Sequence, residues 1–144
     1  MRYISRKYGL YADNDRDLAK QDMIEQQIQD FRWSGFMTLC RSPNYHSLKD
    51  AYINETLPDQ LLLFDRYLAQ KEWFIGKLTY VDFLAYETFD WIRVFSPTSL
   101  EKFDNLNRFM TRFKSLPPIH KYINSDEFKD WPLLGPAHKF GFWK

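Results

Sequence analysis

The sequence holds one cysteine, Cys40, among 144 residues, which excludes a disulfide framework within the chain. No N-terminal apolar run resembles a signal peptide, and no stretch is long and apolar enough for a membrane span, so the expected setting is reducing and cytoplasmic, with no membrane partner. Charge of one sign is missing too: 20 Lys and Arg stand against 19 Asp and Glu, interspersed, for a net +1. Nothing therefore forms the basic patch that a nucleic acid requires. Phosphate-cradling glycine loops, nucleophile elbows and paired metal ligands are absent, so no metal and no bound cofactor is expected. No run alternates with period two between turn residues, which leaves strands without a signal. His46, His120 and His138 fall at loop or helix-end positions, where an imidazole is solvated more often than it is a ligand or base. Cys40 lies toward the negative end of a long helix, which does not favour a thiolate, and reads as a cysteine at the core edge. Asn54-Glu55-Thr56 matches a glycosylation sequon, but without secretion it is helix surface.

Aromatic residues, by contrast, are dense: 13 Phe, 9 Tyr and 5 Trp make 19% of the chain, within a hydrophobic fraction of 44%. That is enough to bury one real core, with large flat side chains filling gaps between helices. The organising stretch is Gly76–Asp90. Tyr80, Val81, Phe83, Leu84, Ala85, Tyr86 and Phe89, continued by Trp91 and Ile92, leave little polar surface beyond Asp82, Glu87 and Asp90. A helix apolar on nearly every side belongs inside a bundle. Its start is encoded as a capping box, Thr79 with Asp82 three residues on, and Leu78 and Phe83 are placed for a hydrophobic staple. This spacing makes Asp82 a structural cap and not a catalytic acid; losing an exposed cap of this kind costs about 1 kcal/mol.

Before this centre, Met1, Ile4 and Tyr8 have helical spacing with no capping residue ahead of them, as if the chain begins inside an element, and Gly9 is a plausible stop. A long amphipathic helix is expected from about Asp15 to Cys40, broken at Arg41-Ser42-Pro43-Asn44. The next helix carries Leu57, Leu61, Phe64 and Leu68; Pro58 predicts a kink or a short break there, with Thr56 and Asp59 able to re-cap the second half. Trp73–Gly76 is an apolar connector. Asp104 is expected to cap a helix closed by Pro117-Pro118, and a short helix follows. The tail after Ser125 is irregular and aromatic, and lies on an apolar surface or lines a groove. The fold class is all-α, a helical bundle around a buried central helix.

The run WFIGKLTYVDFLAYETFD, with Phe103-Asp104-Asn105-Leu106-Asn107-Arg108-Phe109 and Arg112-Phe113, resembles the C-terminal helical domain of cytosolic glutathione transferases, most of all the mu class. The opening MRYISRKYGL is similar to the last helix of that family's thioredoxin-like N-terminal domain. Asp130-Trp131-Pro132-Leu133-Leu134-Gly135 resembles invertebrate members. The resemblance implies residues 1–10 as a remnant of the thioredoxin-like domain and 11–144 as the C-terminal domain, with the glutathione-activating part expected upstream of Met1. It implies a homodimeric cytoplasmic transferase that joins glutathione, as co-substrate, to small hydrophobic electrophiles in detoxification, the present chain alone being inactive. Asp30 matches the acid that reaches the glutathione of the neighbouring subunit. Gln29, Phe36, Leu134 and Gly135 match the electrophile pocket, and Cys40 or Arg41 stands where a pocket tyrosine is usual. Arg2, Arg6, Asp22 and Glu25 match a mixed-charge cluster at the dimer contact, which confers register more than affinity. No residue is assigned to catalysis. The alternative is a non-catalytic helical scaffold or a domain that binds apolar ligands.

Overall fold

The computed structural model describes residues 1–69 and 71–143, and among these the regular structure is entirely helical. Helix α1 spans Arg2–Lys7 and ends where Gly9 adopts φ +71°, which lets the Leu10 amide donate back to the Ser5 carbonyl at 2.8 Å. A side chain at Gly9 would oppose this left-handed turn, the usual reason for glycine just past a helix. The Leu10 carbonyl then accepts from the Tyr80 amide at 3.0 Å, tying the first connector to the central helix.

Helix α2, Asp15–Asp30, starts at Asn14, whose side chain accepts from the Asp17 amide at 3.0 Å. It continues without a break through a π-helical segment, Phe31–Met37, into α3, Thr38–Arg41. The expected long helix is thus present, with a widened stretch that its sequence does not signal. Such π segments shift the facing of the residues beyond them.

Helix α4, Tyr45–Ala51, runs through a second π-helical turn, Tyr52–Thr56, into α5, Leu57–Leu68. The expected break at Pro58 does not occur. The Leu57 amide donates five residues back to the Tyr52 carbonyl, Thr56 keeps helical dihedrals, and neither Thr56 nor Asp59 caps a new helix. Pro58 lies in the first turn of α5, where its missing N–H costs least.

The central helix α6, Tyr80–Phe95, begins with the reciprocal Thr79–Asp82 capping box. Asp82 is fully buried and also accepts from the Phe74 amide at 3.0 Å, so one carboxylate fixes both the helix start and the apolar connector before it. Phe89 packs against Phe31, Phe64 and Phe109, with ring centroids 5.3–6.4 Å apart. These four rings come from four stretches of the chain and, fully or almost fully buried, mark the core. Burial of α6 is incomplete along one strip, where Phe83, Tyr86 and Asp90 are half-buried and Glu87 and Val94 exposed.

Helix α7, Asp104–Lys114, is capped by a residue from another helix. Asp65 on α5 accepts from the amides of Asn105 at 2.9 Å and Leu106 at 3.1 Å, and from the Asn105 side chain at 2.9 Å. Asp104, expected as the cap, is the first helical residue and makes no capping bond. The amides at this N-terminus face α5, so a carboxylate already held there satisfies them. The short α8, Pro117–Ile123, follows, and an irregular tail returns over the bundle. No helix among the described residues is long and apolar enough to cross a membrane.

Candidate functional site

The tail is the element that assembles a site, because it folds back on the end of α3. Leu133 and Leu134 both donate to the Gly141 carbonyl, at 2.7 and 2.9 Å, closing a loop over residues 133–141. Gly141 has φ +85°, and a Cβ there would meet Leu134 Cγ at 3.1 Å, so the closure requires glycine. Within the loop His138 is buried. Its backbone N–H donates to the Gly135 carbonyl, and its Nδ1 lies 3.0 Å from the same oxygen. Across the gap, Arg41 Nε donates to His138 Nε2 at 2.9 Å, and the Lys139 amide donates to the Cys40 carbonyl at 2.7 Å. Nε2 is therefore the acceptor, and the ring proton sits on Nδ1, pointing to Gly135. The expectation that His138 is solvated does not hold: loop closure removes it from water, and its two ring nitrogens find partners far apart in sequence.

The loop also places Phe140 edge-on to Phe36 at 5.9 Å and to Phe95 at 5.1 Å. Phe36 and Cys40, expected on the pocket wall, are consequently fully buried beneath it. Burial pushes the Cys40 thiol up to about 12, so it is inert as a nucleophile. The neighbouring Trp33 and Arg41, by contrast, are exposed. Trp33 is half exposed and donates through Nε1 to Gln29 Oε1 at 2.8 Å, while the Arg41 guanidinium lies 5.8 Å from the Trp33 ring centroid. Gln29, Trp33, Arg41, His138 and Gly135 are thus linked into one polar and aromatic chain, while Phe36 and Leu134 are buried and Phe140 partly buried in the packing beside it. Trp33 and Phe140 were not foreseen as site residues. Trp33 stands four residues after Gln29, which places both on one helix face, but the pairing of Phe140 with Phe36 spans the chain and leaves no local signal.

Asp30 is exposed one turn before Ser34, and its carboxylate accepts from Gln26 Nε2 at 2.8 Å. It stands outside that linked set. The charged cluster forms in part: Arg2 Nε donates to Glu25 at 2.9 Å, and the buried Tyr80 hydroxyl donates to the same carboxylate. Glu25 raises the Arg2 pKa above its ordinary value by hydrogen bonding and charge, and burial pushes Tyr80 up. Arg6 lies over the Tyr11 ring at 4.9 Å, and Asp22 is exposed without an ion-pair partner among the described residues.

A cavity of about 440 Å³ opens elsewhere, between α6, α8 and the tail along the exposed strip of α6. Phe83, Tyr86, Phe113, Ile119 and Leu133 give it an apolar wall. At its edge Arg32 lies over the Trp91 ring at 4.3 Å and pairs with Glu87 at 3.1 Å. No group of three or more potential metal ligands occurs among the described residues.

Comparison with known proteins matches residues 29–126 to the family model for the C-terminal domain of glutathione S-transferase. Glutathione S-transferase B of Cavia porcellus is 40% identical over 144 residues, covering 99% of this chain and 64% of that protein. Glutathione S-transferase Mu 3 of Homo sapiens is 39% identical over 142 residues, covering 98% and 62%. The chain therefore spans a little under two thirds of the length of these curated relatives. Among solved structures, the glutathione S-transferase Blo t 8 superposes with a TM-score of 0.86 at 32% identity, over 97% of this chain and 67% of that one.

Proposed function

This chain belongs to the glutathione S-transferase family, with mu-class relatives, and we propose that it supplies the electrophile-binding helical domain of a mu-class-like enzyme that conjugates glutathione in detoxification. The observation that carries the reading is the tail loop: Phe140 packs on Phe36, His138 accepts from Arg41 and the Lys139 amide donates to the Cys40 carbonyl, nearly a hundred residues away, which joins the Leu134–Gly135 end of the loop to the exposed Trp33 and Arg41. That arrangement suits an aryl electrophile held against a thiolate delivered from the other side. Gln29, Arg41, Leu134 and Gly135 line the pocket in this reading, with Phe36 and Cys40 beneath.

The chain's own residues have a positioning role. Sulfur attack on an aryl halide forms a C–S bond, expels halide with its bonding pair and releases the thiol proton to solvent. Holding the ring within reach of the sulfur supplies much of the rate, since bimolecular encounter becomes intramolecular. A domain with residues 1–10 as its last helix would precede the helical domain, bind glutathione and lower its thiol pKa. Asp30, exposed and without a salt bridge among the described residues, is available to the glutathione amino group of a neighbouring subunit. Arg2, Arg6, Asp22 and Glu25 then lie at the dimer contact, and the assembled enzyme works in the cytoplasm. The test is conjugation of glutathione to chlorodinitrobenzene by the protein expressed from its complete coding sequence. Turnover is expected; a folded protein that conjugates no aryl halide refutes the reading. The cavity beside α6 favours a second reading, a non-catalytic domain that binds apolar ligands. Tight binding of such a ligand without any conjugation would select it.

A further inference from the structure

Arg41 is a cation at the edge of the proposed pocket, and one side of its guanidinium is fixed. Nε is spent on His138 Nε2 at 2.9 Å, and the guanidinium is further placed by the Trp33 ring at 5.8 Å. Among the described residues no carboxylate pairs with Arg41, and its two Nη groups make no hydrogen bond. His138 is itself buried and fixed through Nδ1 to Gly135, so the anchor does not move with the side chain it holds. A guanidinium held by Nε presents its Nη edge as a fork, which matches the two oxygens of a carboxylate. Next to that fork lies the half-exposed Trp33, whose ring offers a face for an aryl group.

We propose that Arg41 makes this pocket selective for aryl electrophiles that carry a carboxylate, which the guanidinium fork binds while the ring lies against Trp33. The inference rests on the electrophile-pocket reading above and names its substrate class. The carboxylate is a spectator: the C–S bond forms at a ring carbon, the C–Cl bond breaks, chloride takes the bonding pair, and the thiol proton passes to solvent. An electrophile without an anion leaves the fork to water and gains nothing from it.

The experiment compares chlorodinitrobenzoate with its neutral amide, chlorodinitrobenzamide, using the protein expressed from its complete coding sequence. Each kcat/KM is divided by the uncatalysed rate with glutathione, to remove intrinsic reactivity. The normalised ratio is expected to favour the benzoate by about tenfold or more, the scale of a charge-assisted bidentate contact at a partly exposed site. Arg41→Gln should bring the ratio close to one, and Arg41→Lys, which keeps charge without the fork, should fall between. A wild-type ratio near one, or a ratio that Arg41→Gln leaves intact, overturns the proposal. Calorimetric binding of dinitrobenzoate against dinitrobenzamide to the same proteins needs no turnover. If neither electrophile is conjugated the transferase reading fails, yet a tenfold binding preference lost in Arg41→Gln still upholds the role of Arg41, and equal binding refutes it. Should Arg41→Gln not fold, Arg41→Lys and the wild-type ligand pair decide alone.

Discussion

Asp82 offers the sharpest test of the physical account, because two effects on its carboxylate oppose one another. It is fully buried, which disfavours charge, and it accepts from the Thr79 amide at 2.8 Å, the Phe74 amide at 3.0 Å and the Thr79 hydroxyl at 3.2 Å, which favours charge. Burial wins, and the pKa is pushed from 3.8 up to about 6. Between these two values the folded protein binds a proton that the unfolded chain has released. Stability therefore falls as pH rises across that window, the reverse of a salt-bridged carboxylate. A shift of about two units corresponds to about 3 kcal/mol at most. Asp82→Asn keeps the shape and removes the titration, but sets an NH₂ group against one of the backbone amides, for about 1–3 kcal/mol. The stability advantage of wild type over Asp82→Asn should consequently be largest near pH 4 and shrink by up to about 3 kcal/mol by pH 7. Urea unfolding of both proteins, followed by circular dichroism at several pH values, measures this difference directly and cancels every other titrating group. An advantage that grows with pH would show that the amides outweigh burial, and would refute the reasoning.

Asp65→Ala should cost about 1–2 kcal/mol in urea unfolding, since it uncaps α7 from α5; a loss below a few tenths would show that water caps α7 equally well. Phe89→Ala removes a fully buried ring in contact with three others and should cost about 3–5 kcal/mol. Cys40, buried with its pKa near 12, should resist thiol reagents at neutral pH in the native protein and react at the rate of unfolding; rapid stoichiometric labelling would mean that the tail loop opens readily. Tyr80→Phe deletes the hydroxyl on Glu25 and should lower stability by about 1 kcal/mol while leaving the Arg2–Glu25 pair in place.

Several features were determined by the sequence itself because their causes are local. The Thr79–Asp82 spacing dictates where α6 begins, and Asn14 where α2 does. Gly9 marks the end of α1, and the 3.6-residue periodicity of Leu57, Leu61, Phe64 and Leu68 assigns the buried face of α5. The aromatic content and the missing alternation of strands settle the class, and the long motif around Tyr80–Asp90 carries the family. Local rules also failed in instructive places. Pro58 reads as a break, but a π-helical turn absorbs it, and Asp104 reads as a cap where a carboxylate from α5 does that work.

What only the tertiary structure decided is set by pairs distant in the chain. Nothing near His138 in sequence indicates that Arg41 will hold its Nε2, nor does anything near Phe36 or Cys40 show that Phe140 and Lys139 will cover them. Whether a polar side chain is exposed depends on what folds over it, and the tail covers that surface only once the bundle exists to receive it. Resemblance named the residues expected to line a pocket. That Phe36 and Cys40 are buried, and that Arg41 is left with an open fork, follows from the packing of the loop at 133–141.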